Sequence, residues 1–233
     1  MSVIRSVPNL SDQIYQLVVD EICDGVLPPG APLVQERLAE RFGVSRQPIQ
    51  QATALLKADG LIEEAGKRGM RVASLDIASM RHHYQLRGAL DALAARLAAE
   101  TAAGSAALAR DLEKRGGDII SRGLKAVQSG SVRNQVREET AFHFFIYEVS
   151  GNPLMAKSAE PHWRYLRRAM GDRLRETPQP EAIWRQHEEI LAAIVSGKPD
   201  LAAARAEKHV ALATEMLVET FSGEQRETFR AGR

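Results

Sequence analysis

Apolar positions in the first sixty residues fall into three short groups with helical spacing. In residues 11–24 the apolar side chains stand at positions 14, 17, 18 and 22, on one face of a helix that Ser11 caps. A GVLPPG segment then forces a turn, because proline donates no backbone hydrogen bond and glycine tolerates unusual backbone angles. Gly43 breaks the second group, and Ser45 caps the third. The pattern predicts helices over 11–24, 35–42 and 45–59.

The third predicted helix has two faces. The apolar stripe consists of Ile49, Ala52, Leu55 and Leu56, and the polar stripe consists of Arg46, Gln50, Thr53 and Lys57. Arginine and glutamine pair with guanine and adenine edges in the major groove, and a recognition helix presents its first residues to the bases. Arg46, Gln47 and Gln50 are therefore candidates for base contacts. The alternative is a polar helix face that meets only solvent.

Residues 61–73 predict a β-hairpin that follows the three helices. Ile62 and Val72 are expected to pack on the core, and Gly66 and Gly69 permit the turn. Basic side chains in this hairpin are expected to contact phosphates, which position a protein without reading sequence; they are Lys67, Arg68 and Arg71. Two helices joined by a tight turn and followed by a basic hairpin form a winged helix-turn-helix. The pattern predicts that residues 1–74 are a DNA-binding domain.

After position 74 the chain becomes alanine-rich and helical in pattern. The predicted helices cover 76–103, 105–128, 132–150, 153–175, 180–196 and 199–221. They indicate an antiparallel all-α helical bundle over residues 75–222, so the fold class is mostly α. Gly116 and Gly117 lie within the second of these helices and predict a kink or break. The polar tail, residues 223–233, is expected to fray.

Composition limits the class of protein but does not identify its function. The 233 residues are 44% hydrophobic and 26% charged, with a net charge of +1. Residues 1–74 hold eight lysines and arginines against nine acidic residues, so DNA binding depends on where the charges lie. No apolar run approaches the roughly 20 residues of a membrane helix, and the N-terminus lacks the apolar core of a signal peptide. The single cysteine, Cys23, fits a reducing cytoplasm.

The candidate metal ligands in the predicted bundle are mostly histidines. Glu139 and His143 are four residues apart and share a helical face. His187 and His209 lie about eleven residues before and after the turn near 197–200, which places both roughly 16 Å from it in an antiparallel pair of helices. A carboxylate and three imidazoles that converge in a bundle predict a divalent metal site for zinc, nickel or iron. The alternative is that each histidine is separately a core or surface residue.

Residues 25–72 resemble the DNA-binding domain of GntR-family bacterial transcription regulators. The segments GVLPPG, LAERFGVSRQPIQQATALL and GLIEEAGKRGMRV follow the family pattern in order. The resemblance implies DNA contacts from Ser45, Arg46 and the wing glycine Gly69. Gln50 stands where the family usually has arginine, which implies one missing contact and a different operator.

Three segments of the bundle resemble the ligand-sensing (FCD) domain of the FadR-like branch of this family: RGALDALAARLAA, EETAFHFFIYEVSGNPLM and QHEEILAAIVSGKPDLAAARAEKHV. The resemblance implies one metal ion per subunit, often with a carboxylate effector on it. His143, His187 and His209 match the ligand positions, and Glu139 replaces the usual aspartate. Arg87 matches an arginine that can face the effector; its alternative is a surface ion pair with Asp91.

These observations favour a metal-containing regulator that responds to a small organic acid. We expect a cytoplasmic homodimer that binds a pseudo-palindromic operator in double-stranded DNA and acts as a repressor. A second interpretation is a direct metal sensor with no organic effector. A third is a metallohydrolase, which is weaker because no base accompanies the histidines as glutamate does in metalloproteases. We therefore expect a protein that is not an enzyme and that makes no membrane contact.

Overall fold

The computed structural model describes residues 9–66, 69–177 and 181–231, with side chains described up to residue 221. The chain divides into two compact units, Met1–Leu75 and Asp76–Arg233. In the described part of the chain, no helix is both long enough and apolar enough to cross a membrane.

The first unit consists of three helices and a small antiparallel sheet. Its elements in chain order are α1 (Leu10–Cys23), β1 (Pro32–Leu33), α2 (Gln35–Phe42), α3 (Arg46–Ala58), β2 (Ile62–Ala65) and β3 (Gly69–Val72). The strand order is β1-β3-β2, and Ile62 pairs with Val72 in the hairpin. The predicted winged helix-turn-helix is confirmed. Strand β1 was not predicted, because two residues are too few to show a periodicity.

The core of the first unit differs from the predicted stripes at three positions. Leu17 and Leu55 were expected to face inward, but they are 50% and 44% exposed. Thr53 was expected on the polar face, but it is buried and donates its hydroxyl to the carbonyl of Ile49 at 2.7 Å. The buried face of α3 therefore follows positions 49, 52, 53 and 56, which is regular helical spacing. A threonine can join this face because its own helix satisfies the hydroxyl.

The second unit is a bundle of long helices. They are α4 (Ile77–Ala103), α5 (Ala106–Gln128), α6 (Val132–Val149), α7 (Met155–Glu176), α8 (Ala182–Val195) and α9 (Pro199–Ala231). Asp76 caps α4 by accepting a hydrogen bond from the backbone N–H of Ser79 at 2.6 Å. Helix α4 packs against α6, α7, α8 and α9, so residues on its inner face lie at the centre of the bundle. The predicted all-α bundle is confirmed.

Two local predictions in the second unit are wrong. Helix α5 continues through Gly116 and Gly117 without a break. A Cβ at Gly116 would lie 2.6 Å from a methyl group of Leu191 on α8, so the glycine permits close helix packing. Helix α9 continues to Ala231, beyond the helix end predicted at residue 221. Beyond Gly223 the sequence EQRE contains helix-forming residues and no proline, which explains the continuation.

Candidate metal centre and DNA-contacting surface

The structure brings together the four side chains that the sequence nominated as metal ligands. Helix α6 carries Glu139 and His143, α8 carries His187, and α9 carries His209. All four are buried, and each offers a ligand atom within 4.8 Å of the others. The buried Oε2 atom of Glu139 accepts no hydrogen bond in the described part of the chain. A cation would satisfy this oxygen, so the residues fit a metal ion.

The distances among these four side chains suit a single small cation. The Nε2 atoms of His187 and His209 are 3.2 Å apart. Glu139 Oε1 lies 3.4 Å from His143 Nε2 and 3.7 Å from His209 Nε2. Tetrahedral zinc with bonds of about 2.0–2.1 Å to nitrogen requires ligand atoms roughly 3.3 Å apart. The cluster therefore needs only small side-chain adjustments to hold such an ion.

Neighbouring groups orient two of the imidazoles. His143 Nδ1 lies 3.1 Å from Asp91 Oδ2, and its Nε2 lies 2.7 Å from an Arg87 guanidinium nitrogen. Because a guanidinium only donates, this contact needs the lone pair of His143 Nε2 as its acceptor. His209 Nδ1 lies 2.9 Å from the side-chain oxygen of Gln186, which leaves its Nε2 lone pair directed at the cluster. Such partners behind an imidazole fix the tautomer that a metal requires.

Burial sets the charge state of the cluster. It lowers the pKa of His187 well below the ordinary value, and it also lowers the pKa of His209. Burial opposes ionisation of Glu139, but the surrounding histidines outweigh it, so its pKa lies well below the ordinary value. Asp91 is also buried, yet His143 and Arg87 hold its pKa at about 2. At neutral pH His187 and His209 are therefore neutral and Glu139 is ionised, which are the forms that bind metal.

Arg87 lies beside the cluster and is only 1% exposed. Its guanidinium contacts Asp91 at 3.2 Å and Glu139 at 3.4 Å, and its central carbon lies 4.2 Å from the centre of the Trp163 ring. The ion pair with Asp91 therefore exists, but it is buried and not at the surface as the alternative interpretation had it. A bound ion would need the His143 lone pair that Arg87 contacts here, so this hydrogen bond and the ion exclude each other.

A small cavity of about 30 Å³ adjoins the cluster. Its polar lining is Tyr84 from α4, Glu139, Arg173 from α7 and His209. Tyr84 and Arg173 were not predicted from the sequence. Helix α7 carries many arginines, and composition alone does not show that Arg173 is the one that faces the cavity. The available signal was position: Arg173 lies three residues after Met170 and seven after Leu166, on the apolar face of its helix.

The residues predicted to read DNA lie at the start of α3. Ser45, Gln47 and Gln50 are exposed, and the Arg46 side chain is 68% exposed and 3.6 Å from Glu36. A pair of exposed side chains at this distance is weak, so Arg46 is available to another partner. The four side chains form one accessible polar surface.

The structure describes one of the three basic side chains predicted in the wing. Lys67 and Arg68 lie outside the described residues. Arg71 pairs with Glu63 on the neighbouring strand at 2.7 Å, which offsets its charge. A Cβ at Gly69 would lie 2.7 Å from the carbonyl oxygen of Ala65, so the hairpin itself requires a glycine there.

Comparison with known proteins agrees with the two units. Residues 10–72 match "Bacterial regulatory proteins, gntR family", and residues 82–212 match the FCD domain. A probable D-xylose utilization operon transcriptional repressor from Paenarthrobacter nicotinovorans is 28% identical over 204 residues, covering 87% of this chain and 86% of that protein. The HTH-type transcriptional repressor RspR from Escherichia coli K12 is 34% identical over 90 residues, which span 39% of this chain and 40% of RspR. Several relatives are thus matched over less than half of their length.

Solved structures share the fold at low sequence identity. Escherichia coli McbR/YncC superimposes with a TM-score of 0.77 at 19% identity, covering 92% of this chain and 100% of that chain. A putative transcriptional regulator GntR from Rhodococcus sp. RHA1 gives a TM-score of 0.75 at 16% identity, covering 90% and 97%. With both units matched in order, the chain belongs to the gntR family of bacterial regulatory proteins with an FCD domain, a family of regulators and not of enzymes.

Proposed function

We propose that this protein is a transcriptional repressor whose operator affinity is controlled by a small carboxylate-bearing metabolite, bound at a divalent metal ion in the second unit. The observation that carries the proposal is the buried convergence of Glu139, His143, His187 and His209, in a chain whose first unit is a DNA-binding domain. The metal identity and the effector are both part of the proposal.

Recognition of DNA is assigned to the exposed start of α3. Arg46, Gln47 and Gln50 would read base edges, and Ser45 and the wing residues Lys67, Arg68 and Gly69 would position the unit on the backbone. One such helix covers one half-site, which supports a homodimer on a pseudo-palindromic operator. A protein that acts on bacterial DNA works in the cytoplasm.

One ion per subunit is proposed in the cluster. Three imidazole nitrogens and one carboxylate oxygen suit zinc best, and nickel and iron accept the same donors. The bound ion supplies a Lewis-acidic position for a carboxylate oxygen of the effector. Arg87 would then release His143 and retain Asp91, so that one of its donors becomes available to the effector.

The alternative is that the metal alone is the signal. The size of the cavity favours it, because a volume of about 30 Å³ holds only a few water molecules. Operator binding separates the two possibilities. Zinc that changes operator affinity equally with and without a carboxylate panel supports direct metal sensing, whereas a response only when a carboxylate is added supports an organic effector.

The metal site is tested by elemental analysis of protein purified without chelator. We expect one ion per subunit in the native protein and none in the double variant His187→Ala, His209→Ala. A matched control, His82→Ala with His162→Ala, removes two histidines outside the cluster and should keep its metal. Full metal content in the first double variant would show that these histidines are ordinary packing residues.

A further inference from the structure

Two histidines outside the buried cluster meet at the surface of the second unit. His83 lies on α4 and His162 lies on α7, and both side chains are partly exposed. Their Nδ1 atoms are 3.1 Å apart, and the two ring planes are inclined by 61°. Two N–H groups would repel each other at this distance, so at least one of the nitrogens presents its lone pair to the other. The structure therefore directs the coordinating atoms of two imidazoles towards one point between the helices.

Contacts with Tyr165 hold this pair in place. The ring of His83 stacks on the ring of Tyr165 from α7, with the ring centres 4.4 Å apart and the planes inclined by only 16°. The hydroxyl of Tyr165 is in turn hydrogen-bonded to the backbone of Asp76, the residue that caps α4. The start of α4 is thus tied to α7 on both sides of the histidine pair. A ligand that bridges the two imidazoles would lose little binding energy to rearrangement.

The separation of the two nitrogens suits a shared metal ion. With bonds of about 2.0–2.1 Å to nitrogen, a distance of 3.1 Å corresponds to a nitrogen–metal–nitrogen angle of roughly 95–100°. This angle lies between the right angle of neighbouring octahedral or square-planar ligands and the wider angle of a tetrahedron. Imidazole nitrogen is a ligand that nickel, copper and zinc all accept. A plain hydrogen bond between the imidazoles would give the same distance, so an experiment must detect the ion itself.

We propose that His83 and His162 form a second metal site, which binds a divalent nickel, copper or zinc ion and links α4 to α7. The site has two protein ligands, so water fills the remaining positions and the ion exchanges with the solvent. Dialysis therefore removes this ion, whereas the buried cluster keeps the one ion per subunit proposed for it. The inference goes beyond the proposed function and does not depend on it, because the two sites share no ligand.

The test is a calorimetric titration of nickel into native protein that has been loaded with zinc and then desalted. Elemental analysis at the end of the titration measures nickel and zinc separately, so nickel that only replaces zinc in the buried cluster is recognised. We expect one additional nickel ion per subunit and an unchanged zinc content. Because nickel binds the folded state, it should also raise the Tm of the second unit, followed by circular dichroism.

Variants identify the ligands. His83→Ala and His162→Ala should each weaken nickel binding at least about tenfold, since even the loss of a group behind a metal ligand costs this much. His82→Ala is the matched control, because it removes the adjacent exposed histidine of the same helix and should leave nickel binding unchanged. The replaced side chains are at least partly exposed, so all three variants should keep their circular dichroism spectrum and their zinc.

The outcomes separate this site from the buried one. Native protein that binds no nickel beyond the zinc it releases shows that the two imidazoles share only a hydrogen bond, which overturns the second site. Equal weakening in His82→Ala would show that nickel binds exposed histidines in general, which overturns it as well. Protein that retains no zinc, yet binds nickel through His83 and His162, supports the second site and overturns only the metal of the proposed function.

Discussion

Two glycines on α5 predict opposite effects of the same substitution. A Cβ at Gly123 would lie 2.0–2.3 Å from three ring atoms of Trp184, which is fully buried on α8. No heavy atom lies within 4 Å of the corresponding position at Gly117. Gly123→Ala must therefore push Trp184 and α8 away, whereas Gly117→Ala only replaces a poor helix former with the best one.

The magnitudes follow from these contacts. Overpacking against this fully buried ring should cost about 3 kcal/mol, which lowers the Tm of a unit of this size by about 6–12 °C. Gly117→Ala should stabilise the helix by up to about 1 kcal/mol, raising the Tm by about 2–4 °C. Both tryptophans of the chain, Trp163 and Trp184, lie in the second unit, so thermal unfolding followed by tryptophan fluorescence reports that unit.

Gly123→Ala should also disturb the four candidate metal ligands. The Trp184 ring contacts His187 edge-on, with ring centres 4.7 Å apart. Displacing the tryptophan should move this imidazole, so Gly123→Ala should bind zinc more weakly than Gly117→Ala does. Equal stability of the two variants would refute the packing described here. A large loss of stability with unchanged zinc affinity would refute only the link to His187.

Three further predictions concern DNA binding and pH. Arg46→Ala should reduce discrimination between operator and scrambled DNA by about 1–3 kcal/mol at fixed salt, and an unchanged ratio would exclude it from base reading. Lys67→Ala with Arg68→Ala should weaken binding to both DNAs and make the slope of log affinity against log salt shallower by roughly one or two units; a loss confined to the operator would mean that the wing reads bases. In metal-free protein, the second unit should lose stability as pH falls below 6.5, the ordinary pKa of histidine. The unfolded chain takes up protons in this range, whereas burial keeps His187 and His209 neutral in the folded state. Urea unfolding at several pH values should show a slope of up to about 1.4 kcal/mol per pH unit for each histidine, and a profile as steep in His187→Ala, His209→Ala would contradict the assignment.

Long periodic segments were predictable from sequence because their spacing encodes one buried face. The boundaries of α4, α5 and α6 follow the glycine and serine signals to within two residues. The burial predictions fail where the buried face of a helix is shifted by one position from the predicted stripe, as at Leu17 and Leu55. The helix-break prediction fails because Gly116 packs closely against Leu191, a residue distant in sequence. Single-sequence periodicity contains no information about that neighbour.

The four clustered side chains were foreseeable because each pair obeys local geometry: four residues within one helix, and equal distances from one turn. The groups behind them were not. Asp91 behind His143, and Tyr84 and Arg173 around the cavity, depend on how α4 and α7 are rotated within the bundle. Their polar chemistry also resembles that of solvated helix positions, so nothing local distinguishes them.

Tyr165 on α7 provides a built-in reporter of helix movement. Its hydroxyl accepts a hydrogen bond from the backbone N–H of Asp76 at 3.1 Å and donates one to the carbonyl of the same residue at 3.0 Å. Arg173 lies eight residues further along the same helix, about 12 Å away. A rotation of α7 would therefore strain or break both hydrogen bonds. The exchange rate of the Asp76 amide proton would record that rotation at the residue where the second unit begins.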